Sequence, residues 1–101
     1  MKKTLFKSVL LKREGLRLDY YIISYMLSLE GENLVSYGIE ISQTPLKGCR
    51  LKEMTVSLED ITPDRKKIEE FIGELCEGEF DPSMLIDAAN DKIEEWSAYG
   101  K

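Results

Sequence analysis

Histidine is absent from this sequence, and cysteine occurs only as Cys49 and Cys76. The first absence removes the side chain that most often serves as a general base near neutral pH, and the commonest nitrogen ligand for zinc. The second leaves no C-x-x-C pair from which a zinc ribbon or dithiol redox motif could be built. Two unclustered cysteines in a chain without an export signal read as reduced thiols. Long apolar runs are missing too. The longest, Tyr20 to Leu29, is ten residues and contains Ser24 and Ser28, whereas a membrane-spanning helix needs about twenty. The N-terminal Met1–Lys7 stretch imitates a signal peptide only briefly. Lys7 and then Lys12 interrupt it, and no small-residue cleavage site follows. The expectation is a cytoplasmic protein with no membrane contact. No glycine-rich phosphate loop is present, since Gly73 and Gly78 fit no G-x-x-x-x-G-K pattern, and no cofactor is expected.

What is present suits one globular domain. The 101 residues are 43% hydrophobic and 33% charged, too apolar for a disordered chain. A domain of this size buries roughly two thirds of its unfolded surface. Its charge is lopsided. Residues 1–51 carry eight Lys/Arg against five Asp/Glu, a balance of +3. Residues 52–101 carry six against fourteen, a balance of −8, giving −5 overall. The acidic half argues against general affinity for nucleic acid. The basic N-terminal residues, including Lys2, Lys3, Lys7 and Lys12, read as the solvent side of an edge strand, where lysines block edge-to-edge pairing.

Strand signals fill the first half. Residues 4–12 are apolar and partly β-branched. Arg13-Glu14-Gly15 is a turn. Residues 17–29 hold Tyr20, Tyr21, Ile22, Ile23 and Tyr25, the types that suit a pleated surface. Glu30-Gly31-Glu32-Asn33 is a second turn. Residues 34–42 alternate, with Val35, Tyr37, Ile39 and Ile41 on one face. The 42–52 segment, with Pro45 and Gly48, is the longest loop, and 53–59 is a fourth strand.

Helix signals fill the second half. Thr62-Pro63-Asp64 is a helix start, with Thr62 as the cap, and Ile68, Phe71, Ile72, Leu75 and Cys76 make one apolar stripe over 63–77. Gly78 ends it. Asp81-Pro82-Ser83 opens a second helix over 82–96, with a tail expected to fray from Ser97. The predicted architecture is α+β: a four-stranded antiparallel β-meander followed by two helices on one sheet face, β-β-β-β-α-α.

The second strand is apolar on both faces. Tyr21, Ile23, Tyr25, Leu27 and Leu29 form one row; Tyr20, Ile22 and Met26 lie on the other. Two helices cover only one face of such a sheet. Tyr20, Ile22 and Met26 are therefore a candidate contact surface for a protein partner or a second copy, as a homodimer. The competing readings are a 42–52 loop folded over the back, or a bulge that switches the facing of the strand.

Other chemistry is thin. Lys47, Arg50 and Lys52 surround Cys49 and could contact an anion or depress its thiol pKa, but no histidine is available as a base. Asp87, Asp91 and Glu95 share a helix face at four-residue spacing, without the glycine-containing calcium loop. No catalytic or metal site is expected. A nucleic-acid module using the basic first strand and the 47–52 loop is the alternative to an interaction module. It lacks the Lys/Arg-Gly-Phe/Tyr run of RNA-binding sheets.

The Tyr37-Gly38-Ile39-Glu40-Ile41 strand, the capped helix after Ile61-Thr62, and the Asp81–Asp87 run continuing to Asp91 resemble short bacterial proteins grouped as a domain of unknown function. The resemblance spans most of the chain. It implies a bacterial cytoplasmic setting and no activity, cofactor or functional residue.

Overall fold

The computed structural model describes residues 1–99. Among them are four strands, β1 (Lys2–Leu11), β2 (Leu16–Leu29), β3 (Glu32–Pro45) and β4 (Met54–Thr62). Two α-helices follow, α1 (Arg65–Glu77) and α2 (Leu85–Tyr99), the second entered through a 3-10 turn at Pro82–Met84. The strands pair in chain order, all antiparallel. The expected α+β meander with trailing helices is the observed fold. β2 and β3 turn at Glu30 (φ 50°) and Gly31 (φ 81°), the paired left-handed conformation that matches strand twist in a two-residue hairpin.

The core lies between one sheet face and both helices. Leu18, Tyr20 and Ile22 of β2 and Ile39 and Ile41 of β3 meet Ile68, Phe71, Ile72 and Leu75 of α1, with Leu85 and Ala89 of α2. Two bulges adjust which residues face it. Phe6 is the extra residue where β1 shifts register between Leu5↔Tyr21 and Lys7↔Tyr20. The shift turns Val9 and Leu11 toward the core, against which both pack. In β4, Glu59, Asp60 and Ile61 stand opposite Gly38 alone, since Tyr37 pairs with Thr62 and Ile39 with Leu58.

The helix ends differ from expectation in detail. Thr62 still pairs with Tyr37 in the sheet and so is not the cap. Asp64 takes that place, accepting from the amides of Lys66 at 2.9 Å and Lys67 at 3.2 Å. Thr62 instead accepts from the Asp64 amide through its hydroxyl at 3.1 Å. At the other end Gly78 is right-handed (φ −82°) and Glu79 is left-handed (φ 53°). Phe80 N–H bonds Leu75 O and Glu79 N–H bonds Cys76 O, a Schellman closure. Gly78 is required for space: an added Cβ would lie 2.6 Å from the Phe80 ring. α2 continues through Ser97 to Tyr99, three residues beyond the expected end, and the remainder of the tail lies outside the described residues.

Candidate functional site

The helices cover the face opposite to the one expected. Tyr20 and Ile22 are 0% and 6% exposed and belong to the core, so neither is a contact residue. Their row carries on through Ser24 to Met26, which lies past the helices and is 66% exposed. Of the three candidate interface residues only Met26 is available to a partner. The 42–52 segment does not fold over the sheet: β3 runs on to Pro45, and Leu46 N–H bonds Gly15 O at the sheet end.

The outer face of β2 is made compatible with water by its neighbours. Ser8, Asp19, Ser42 and Thr55 are register partners across all four strands. Ser8 donates to Asp19 at 2.6 Å, Arg17 pairs with Asp19 at 3.2 Å, and the Ser42 and Thr55 hydroxyls lie 3.0 Å apart. One row along, Glu40 accepts from Ser57 at 2.7 Å and from Lys3 at 3.0 Å. Lys3 also sits over the Tyr21 ring, 4.7 Å from its centre. Burial alone would raise the Glu40 carboxyl; the Ser57 hydroxyl and the Lys3 ammonium outweigh it and hold the group below its ordinary range. That contribution is present above the usual carboxylate range and is lost as pH falls through the lowered value.

Leu5 and Leu10 are exposed on this outer face, and a further group of exposed apolar side chains lies at the end of the sheet. β2 and β3 are 14 residues each, against 10 for β1 and 9 for β4. Pairing with β1 extends only to Lys2↔Ser24, and pairing with β4 only to Tyr37↔Thr62. Residues 25–36 therefore project as a two-stranded arm, at one end of a molecule 51 Å long and 17 Å thick. On it Met26, Leu29, Leu34 and Val35 are all exposed. A groove of about 350 Å³ at its base is lined by Lys2, Ser24, Tyr25, Met26 and Val35, together with Met1. The base is fixed: Ser36, 2% exposed, donates to Asp60 of the β4 bulge at 2.5 Å. The sequence signal for the arm was the length of the second apolar run; Leu34 and Val35 were missed because the β3 alternation alone gives no hint that the helices stop short of them.

The remaining candidates do not converge. Lys47, Arg50 and Lys52 lie on the exposed 46–53 loop, and among the described residues none of the three is ion-paired. The half-buried Cys49 joins its loop to the β1–β2 turn, its thiol donating to Glu14 O and accepting from Leu51 N–H, both at 3.4 Å. No group of three cysteine or carboxylate side chains gathers among the described residues. Glu95, in the Asp87–Asp91–Glu95 series, is instead paired with Lys92 at 3.0 Å, and Lys92 also holds Glu74 at 2.8 Å. No helix among them is long and apolar enough to cross a membrane.

Cys76 lies against α1's buried stripe, and burial pushes its thiol up to about 11. A thiol reagent at neutral pH is expected to modify Cys49 alone in the folded chain, and both cysteines in denaturant. Mass spectrometry counts the adducts, and rapid double labelling of the native chain would show that α1 opens far more readily than its packing implies.

The model of a family of unknown function (DUF6514) matches residues 1–95, and the chain belongs to that family. No curated protein and no solved structure matches it.

Proposed function

We propose that this DUF6514 member acts by binding rather than by catalysis, and that its contact surface for another polypeptide is the β2–β3 arm. One observation carries the reading: four large apolar side chains, Met26, Leu29, Leu34 and Val35, are exposed on a ribbon with no strand on either side. A two-stranded ribbon without a third layer is marginal in water. Met26 and Val35 project from one face of the ribbon and Leu29 and Leu34 from the other; covering them stabilises the ribbon, and exposed apolar patches mark interaction sites. Elsewhere the sheet's outer face carries the polar Ser8–Asp19–Ser42–Thr55 and Glu40–Ser57 rows, with Leu5 and Leu10 of β1 exposed beside them. The two cysteines, both left as thiols, support a reducing cytoplasmic setting, and the family resemblance supports a bacterial one.

The test is a photoreactive amino acid placed at Val35 on the arm, or at Glu69 on the exposed side of α1, in cells that produce the protein natively. Irradiation is expected to give a discrete protein adduct from position 35 and none from 69. Equal adducts from both positions, or none from 35, would count against the arm.

A further inference from the structure

We propose that the arm's occupant is the arm of a second copy, laid antiparallel along β2 to form a two-fold dimer. The proposal rests on the reading of the arm as a contact surface. β1 pairs with β2 only as far as Lys2↔Ser24, so Tyr25–Leu29 present an unpaired backbone edge. That edge is a template for strand addition. A two-fold contact must be self-complementary, and this segment is. An antiparallel copy centred on Leu27 sets Leu27 against Leu27 and Tyr25 against Leu29 of the partner subunit. Because strand side chains alternate with period two, all of these project from one face, and the apolar row runs unbroken across the axis.

Length and charge agree. On the β1 side, Tyr25 to Leu29 pair with no strand of their own chain; Met1 lines the groove beside Tyr25, where the partner's Leu29 would displace it. The same five residues precede the Glu30-Gly31 turn, where a partner's strand leaves the sheet. The partner's Glu30 then arrives end-on at Lys2, which lines the groove at the arm base. Lys2 and Glu30 are both exposed and have no ion pair within the described residues. Each copy supplies one acid and one base, so the dimer contains the pair twice.

The experiment is light scattering coupled to gel filtration over a concentration series from about 1 µM to 1 mM, suited to a short contact of modest affinity. The wild type is expected to rise from 11.6 kDa toward twice that mass. Leu27→Lys sets like charges against each other on the axis and is expected to stay monomeric with an unchanged circular dichroism spectrum. If that variant does not fold, the charge pair decides. Lys2→Glu and Glu30→Lys are each expected to weaken association about tenfold, and the double variant to restore it. A wild-type monomer at every concentration overturns the proposal. So does a dimer that persists in Leu27→Lys, or charge variants that neither weaken nor rescue one another. A monomeric wild type whose Val35 photo-adduct contains a different protein overturns the second copy and leaves the arm as the contact surface; no adduct and no dimer overturns both.

Discussion

Gly38→Ala is expected to lower the unfolding free energy by about 3 kcal/mol and the melting temperature by roughly 12–20 °C. The reason is the β4 bulge. Three residues of β4, Glu59 to Ile61, stand opposite this one position, and the extra backbone closes over β3. A Cβ built on Gly38 collides with the Leu58 carbonyl and lies 2.9 Å from the Glu59 Cα. Both obstacles are main chain, so no rotamer change relieves them. Relief requires moving β4, which would strain the left-handed Asp60 (φ 56°) and its bond to Ser36. Gly73 supplies the control. It lies within α1 with nothing within 4 Å of an added Cβ, so Gly73→Ala is expected to stabilise by about 0.5–1 kcal/mol. Denaturant titration followed by circular dichroism measures both. A Gly38→Ala loss below about 0.5 kcal/mol would mean that the bulge is loosely held.

Truncation of Tyr20 to alanine is expected to cost about 4 kcal/mol, and Tyr20→Phe about 1–2 kcal/mol. The ring is fully buried between β2 and the helices. Its hydroxyl crosses the core and donates to Phe80 O at 2.6 Å, latching the turn after α1 to the sheet. Burial first, with the nearby Cys76, Glu79 and Asp81 adding to it, pushes the phenol far above its ordinary value. It remains a neutral donor across the accessible pH range. Alanine leaves a cavity and an unpartnered carbonyl; phenylalanine keeps the packing and loses only the donor. Against a total stability of about 5–15 kcal/mol for a domain of this kind, the alanine variant is close to unfolding at physiological temperature. Neither substitution touches the arm, so the solution mass of Tyr20→Phe is expected to equal that of the wild type. A Tyr20→Phe variant with intact stability and lost association would return Tyr20 to the surface role that its burial excludes.

The element order was legible because it is written locally. The alternation in Leu34–Ile41, the Glu30-Gly31 turn, the Thr62-Pro63-Asp64 start before α1 and the Ile68–Cys76 stripe each carry their own period or punctuation. They needed no knowledge of the rest of the chain, and the observed elements follow them to within a few residues. Chain order then made a meander of strands joined by short turns.

Which face of β2 became the core was decided only in three dimensions. Both of its rows are apolar, and alternation says that they differ without saying which one the helices take. Only two residues, Pro63 and Asp64, separate the end of the sheet pairing at Thr62 from α1. That short link returns α1 over the row holding Tyr20, Ile22, Ile39 and Ile41, leaving the opposite row to the polar cross-strand partners Ser8, Glu40, Ser42, Thr55 and Ser57, with Ile23 buried beside Gly38 and the β4 bulge. The two bulges depend on how non-adjacent backbones meet, and so does the arm, which exists because β1 and β4 stop short of Tyr25 and Ser36. Sequence alone determined the parts and their order, since propensity and periodicity act over a few residues. Tertiary structure decided the surface, since exposure depends on which distant segments come to lie beside each strand.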